Sequence, residues 1–120
     1  MMVNKKIISD FADLIGNLEI AINLDSFKKV KDRYQFILDE LLKWIRNYYI
    51  NKDFDVITYE KSLEIHNLLE EIKHDILFDK EIGNESLLTD NILIRYEVII
   101  KTINKERGNI WWKEINMDTI

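Results

Sequence analysis

Proline is absent from this 120-residue chain, and its three glycines, Gly16, Gly83 and Gly108, lie far apart. Proline breaks helices and glycine weakens them, so a chain with so few of either can form long helices over most of its length. Apolar residues make up 47% of the chain, which is enough for a buried core in one domain of this size. We therefore expect a single helical domain over residues 1–120.

Apolar residues recur at intervals of three and four, which places them on one face of an α-helix. This period predicts helices from about Asn4 to Leu24, from Ser26 to Ile50 and from Thr58 to Leu77, with Asp25 or Ser26 capping the second helix. The predicted core positions are Ile7, Phe11, Leu14, Ile15, Leu18, Ile22, Phe27, Val30, Tyr34, Ile37, Leu38, Leu41, Ile45, Tyr48, Ile65, Leu68, Leu69, Ile72 and Ile76.

The segment from Ser86 to Glu106 fits two periods. Its apolar residues follow a helical spacing, but five of them also alternate as they would in a strand. We favour a helix because about twenty residues is long for a strand. Gly108 would then follow the helix end, and the apolar tail 109–120 would dock as a flap. The sequence thus predicts an all-α, antiparallel four-helix bundle with a short C-terminal flap. The helical positions are Leu88, Ile92, Tyr96, Ile99 and Ile103; the alternating ones are Ile92, Ile94, Tyr96, Val98 and Ile100.

Both histidines of the chain lie in the third predicted helix. If Ile65 marks 0° on this helix, His66, Glu70 and His74 lie at about 100°, 140° and 180°, in a row on the side away from the core. Such a row could hold a divalent metal or perform acid–base chemistry, and a helical metal protein or enzyme is one alternative. Because one row supplies only two ligands in suitable geometry, we expect both histidines to be exposed, with no metal or cofactor.

Other catalytic or targeting signals are missing from the sequence. The chain has no cysteine, which excludes disulfides, thiolate metal sites and a cysteine nucleophile. Its glycines are too scattered for a phosphate-binding loop. No stretch resembles a signal peptide or a membrane span, so we expect a cytoplasmic protein that does not bind membranes and is not an enzyme.

Charge is distributed unevenly along the chain. Residues 53–90, here called the acidic segment, contain eleven Asp and Glu against three Lys, a net charge of −8. Residues 26–52 carry a net charge of +4, which is too little for nucleic-acid binding in a chain whose total is −5. A field of this sign repels nucleic acid and attracts a basic protein partner, although such a segment can also serve solubility alone.

The third helix also places apolar residues on its outward, acidic side. Tyr59 and Leu63 lie at about 120° and 160° on the same scale, away from the core stripe. Apolar side chains surrounded by charged ones are typical of an interface centre and its rim. We expect Tyr59 and Leu63 to anchor a partner. The predicted rim residues are Glu60, Glu64, Glu70 and Glu71.

A competing surface lies at the end of the second helix, in "RNYYINKDFD". Its Tyr48 and Tyr49, followed by Asp53 and Asp55, resemble the tyrosine pair and carboxylates of the immunity proteins of colicin-type nucleases. That family has a proline after the tyrosines, where this chain has Ile50. The resemblance implies a small helical protein that blocks a basic toxin, with Tyr49, Asp53 and Asp55 at the interface. Immunity proteins against contact-dependent inhibition toxins belong to the same broad class.

These observations together predict a non-enzymatic protein inhibitor. The function that we expect is that of an immunity protein which neutralises a bacterial toxin through an acidic helical surface. A phage protein that blocks a host defence enzyme would need the same kind of surface, so it remains an alternative.

Overall fold

The computed structural model describes residues 5–51, 57–79 and 85–107. Within these ranges the chain forms four α-helices, one short 3-10 helix and no strand. The C-terminal flap predicted for residues 109–120 lies outside the described residues. The helices are α1 (Lys5–Asn23), α2 (Lys31–Asn51), α3 (Tyr59–Phe78) and α4 (Ser86–Arg107), with the 3-10 helix at Asp25–Phe27.

The helices pack as an antiparallel four-helix bundle, as predicted. Helix α1 packs against α2 and α4, and α4 packs against α3, whereas α2 and α3 contact each other less extensively. The Nζ of Lys29, just before α2, lies 3.0 Å from Oδ2 of Asp79, just after α3, so these two helices run in opposite directions. Lys73, late in α3, pairs with Asp90, early in α4, at 3.3 Å, which gives α3 and α4 opposite directions as well.

The predicted apolar faces form the core. Most of the predicted positions are buried, and the rest, such as Ile15 and Ile45, pack half-buried against them. Trp44 and Ala21 join the core although the predicted faces omitted them. The ambiguous segment is helical: Ile94, which the strand pattern would have placed beside Ile92, is 59% exposed.

The start of the second helix differs from the prediction. Helix α2 begins at Lys31, five residues later than expected, and neither Asp25 nor Ser26 is its N-cap. Instead the chain makes a 3-10 turn in which the N–H of Val30 donates to the carbonyl of Phe27 at 3.0 Å. A spacing of three places Phe27 and Val30 on one side of a 3-10 turn as well as of an α-helix, so both can be buried in either structure. The period therefore did not distinguish the two.

Two buried tyrosines connect the helices through their hydroxyl groups. The Oη of Tyr34 on α2 lies 2.6 Å from Oγ1 of Thr89 on α4, and the hydroxyl of Tyr96 on α4 donates to the carbonyl of Ser62 on α3 at 2.8 Å. Burial raises the pKa of Tyr34 from 10.0 to about 12, although the Thr89 hydrogen bond and the charge of Arg33 oppose this. Since the folded protein holds this proton more tightly, the corresponding stabilisation is present below pH 10 and is lost as the pH rises towards 12.

We expect Tyr34→Phe to lower the free energy of unfolding by about 1–3 kcal/mol, because it leaves the buried hydroxyl of Thr89 without its partner. The double variant Tyr34→Phe, Thr89→Val removes both polar groups and should recover part of this loss. Urea denaturation of the wild type, both single variants and the double variant measures the coupling. Strictly additive single effects would show that the hydrogen bond contributes nothing.

Candidate functional site

The orientation of helix α3 is set at its first turn. Thr58 caps the helix, with its Oγ1 accepting the N–H of Lys61 at 3.2 Å, and the Ser62 hydroxyl donates to the carbonyl of Thr58 at 2.9 Å. This cap defines the first residue of the helix. The face of α3 that includes Ile65 and Leu69 is buried in the core. The residues on the other side of α3 form the candidate surface.

Apolar residues follow one row on this side. Tyr59 and Leu63, the two predicted anchors, are half-buried. Leu77, which was not predicted, lies at about 120° on the same angular scale, the same angle as Tyr59. It is 64% exposed, and the next residue, Phe78, is 74% exposed. The most accessible apolar residues of α3 therefore lie in its last turn, and the polar residues Glu70 and His74 separate them from Leu63 on the same side.

Acidic residues border this row. Glu60, Glu64 and Glu71 are exposed and Glu70 is half-buried. The Oε2 of Glu64 lies 3.0 Å from the Nζ of Lys61, and this hydrogen bond raises the pKa of Lys61. Glu60 and Glu71 are the more available of the exposed carboxylates. We call Tyr59, Leu63 and Leu77, together with Glu60, Glu64, Glu70 and Glu71, the α3 outer surface.

A shallow hollow occurs in the second half of this surface. Its volume is about 440 Å³, and Leu77 forms one of its walls. His74 lies at its edge, with its ring 4.6 Å from that of Phe78. An apolar wall near the two carboxylates of Glu70 and Glu71 is suited to an aliphatic or aromatic side chain carried by a basic partner. The residues around the hollow are Asn67, Glu70, Glu71, Lys73, His74 and Leu77.

Part of the acidic segment is already paired within the bundle. Asp75 lies 2.6 Å from Arg33, and Asp79 lies 3.0 Å from Lys29, so these two carboxylates connect the end of α3 to the start of α2. Asp90 pairs with Lys73 in the same way between α3 and α4. Outside these three pairs, the exposed carboxylates among the described residues of the segment are those of Glu60, Glu64 and Glu71, all on the α3 outer surface.

The two tyrosines of the competing surface point in different directions. Tyr48 is fully buried in the core, as its place in the apolar stripe predicted, whereas Tyr49 is 57% exposed. Tyr49 borders a small apolar hollow of about 290 Å³ beside Ile8 and Ile50. Asp53 and Asp55 lie outside the described residues.

The predicted exposure of the two histidines is correct for His74 and wrong for His66. His66 is only 6% exposed, and its Nε2 lies 3.5 Å from Oε1 of Glu97 on α4 and 3.9 Å from Oε1 of Glu70. Helix α4 packs over the side of α3 that carries His66 and buries it. The row of His66, Glu70 and His74 therefore does not act as a unit. The structure instead brings together His66, Glu70 and Glu97.

The sequence analysis did not identify Leu77 on the α3 outer surface or Glu97 beside His66, for different reasons. Leu77 could have been found, because its angle matches that of Tyr59 on a helix whose end was predicted to within one residue. Glu97 could not, because its proximity to His66 depends on how α3 and α4 are aligned, and no local pattern specifies that alignment.

No protein-family model matches the chain, and no curated protein or solved structure is significantly similar to it. None of the helices in residues 5–51, 57–79 and 85–107 has both the length and the apolar composition for crossing a membrane.

We expect His66→Ala to lower the free energy of unfolding by about 1–3 kcal/mol, because it opens a gap at the α3–α4 contact and leaves two carboxylates facing it. His74→Ala changes an exposed residue on the same helix and should alter stability by no more than about 0.5 kcal/mol. Thermal and urea denaturation of both variants tests the difference. Equal effects of the two changes would contradict the buried position of His66.

Proposed function

We propose that this protein is a non-enzymatic inhibitor that binds a basic protein through the α3 outer surface, and that it serves as an immunity protein against a bacterial toxin. The observation that carries this proposal is the exposed apolar end of α3, where Leu77 is 64% and Phe78 is 74% exposed and where Leu77 lines a hollow together with Glu70 and Glu71. Large apolar side chains at this exposure lose contact with water when a partner covers them.

The charge of the surface specifies the partner's chemistry. Glu60 and Glu71 extend outward beside the apolar row, and the acidic segment as a whole carries a net charge of −8. Such a surface accelerates encounter with a positively charged protein and discriminates against acidic ones. Enzymes that cleave nucleic acids carry basic surfaces for the phosphate backbone, so a nuclease toxin is the partner class that fits best.

Inhibition of this kind needs no reacting group in the inhibitor. The apolar anchors supply most of the affinity by filling pockets on the partner, and the acidic rim excludes water and sets the approach. A toxin covered in this way is inactive as long as the complex lasts, so slow dissociation is the property that protection requires.

The direct test is co-expression with a toxin whose gene lies beside that of this protein. We expect the wild type to restore growth, to co-purify with the toxin and to block its activity. Protection by a chain that does not bind the toxin would overturn the proposal. Capture of a host defence enzyme, with inhibition of that enzyme instead, would replace the immunity role with an anti-defence role on the same surface.

We expect Leu77→Ala to accelerate dissociation of the complex by about 30-fold, which corresponds to an interface anchor that contributes about 2 kcal/mol. Tyr59→Ala should act in the same direction. The matched control is Ile20→Ala, because Ile20 is an aliphatic residue with 54% exposure on α1, whose main contacts are with α2 and α4. Biosensor kinetics measure the rates. Equal dissociation rates for the Leu77 and Ile20 variants would remove Leu77 from the interface.

The rim should act on association instead. Glu60→Lys with Glu71→Lys should slow association and flatten its dependence on salt between low ionic strength and 0.1 M, where the Debye length is about 10 Å. Asp13→Lys with Glu19→Lys makes the same change in net charge at exposed positions on α1. If both double variants associate equally slowly, the net charge of the protein matters and the position of the rim does not.

A further inference from the structure

A second group of functional side chains lies between α3 and α4. His66 and Glu70 are one turn apart on α3, and Glu97 reaches them from α4. One ligand atom from each of the three residues lies within 4.8 Å of the other two. The His66 side chain is 7% exposed, that of Glu97 is 23% exposed and that of Glu70 is 43% exposed, so the group extends from the helix contact to the surface.

We propose that His66, Glu70 and Glu97 form a binding site for a divalent first-row transition metal ion that connects α3 to α4. The proposal does not rest on the inhibitor function, although Glu70 also belongs to the α3 outer surface. Imidazole nitrogen and carboxylate oxygen are both ligands of zinc and of its neighbours in the first row.

The distances fit such an ion. Ligand atoms at about 2.0–2.2 Å from a tetrahedral zinc ion lie about 3.4 Å from one another. The Nε2 of His66 is 3.5 Å from the Glu97 oxygen and 3.9 Å from the Glu70 oxygen. The oxygens of Glu70 and Glu97 lie within 4.8 Å of each other, so rotations of the two glutamate side chains would have to bring them closer together around the ion. The exposure of Glu70 leaves room on the outer side for water to complete the coordination.

The charges of the site also favour a cation. Two carboxylates whose oxygens lie this close to each other repel, and partial burial beside His66 strengthens the repulsion because less water screens it. Lys73, three residues after Glu70, does not compensate this charge because it pairs with Asp90 at 3.3 Å. A metal ion would neutralise both carboxylates and use the His66 nitrogen that faces them. In the competing arrangement, the same three side chains face one another with no metal ion bound.

The test uses the purified full-length chain after treatment with a chelator. Titration with Zn²⁺ in a calorimeter should give one equivalent of binding, and a saturating amount should raise the melting temperature, because an ion that binds only the folded chain stabilises it. Co²⁺ should give absorption bands of a site with nitrogen and oxygen ligands. Absence of saturable binding at micromolar to 100 µM Zn²⁺ would overturn the proposal.

Two variants locate the ion. Glu97→Gln keeps the size of the side chain and removes a ligand charge, so it should weaken Zn²⁺ binding at least tenfold and abolish the increase in melting temperature. His74→Ala removes the exposed histidine one turn after Glu70 and should leave both unchanged. Circular dichroism verifies that the variants fold. Binding that survives Glu97→Gln, or that disappears in His74→Ala, would place the ion on the protein surface and refute the site.

Discussion

The alignment of the helices depends on the need of buried tyrosine hydroxyls for hydrogen-bond partners. An apolar stripe can slide along its neighbour by small amounts at little cost, but a hydroxyl in the core is satisfied only where an acceptor or donor faces it. The hydroxyl of Tyr34 forms a hydrogen bond with that of Thr89, and the hydroxyl of Tyr96 donates to the carbonyl of Ser62. These two bonds connect α2, α4 and α3 in one alignment. The juxtaposition of His66 and Glu97 follows from the same alignment, because Tyr96 is the residue before Glu97.

The sequence predicted what depends on one helix at a time. The period of three and four located four helices and most of the core, and the length of the segment from Ser86 correctly favoured a helix over a strand. The sequence-based prediction failed where contact with a second helix determines whether a residue is buried. His66 lies at about 100° from the centre of its own stripe, which is outside the core of an isolated helix but inside the contact with α4. The predicted start of the second helix was wrong because a spacing of three occurs in both 3-10 helices and α-helices.

The candidate surfaces show the same division. Tyr59 and Leu63 were identified from their angle on α3, and the same angle extends the row to Leu77. The metal-ligand group includes Glu97 from α4, so it could be identified only from the three-dimensional structure. Helix α3 thus carries three different surfaces around its axis. They are an apolar face in the core, a polar edge shared with α4, and an outer side on which acidic residues border apolar ones. The proposed inhibitor function uses the last, which shares Glu70 with the polar edge.

The contact between α2 and α3 has a consequence for how the bundle opens. These two helices share less contact than the other neighbouring pairs, and the exposed ion pairs Lys29–Asp79 and Arg33–Asp75 join them at one end. Screening by salt weakens exposed ion pairs but leaves buried apolar contacts intact. We therefore expect high ionic strength to loosen the contact between α2 and α3 before the larger contact between α1 and α4. If α3 carries the partner-binding surface that we propose, ionic strength would affect both how fast that surface attracts a partner and how rigidly the bundle holds it.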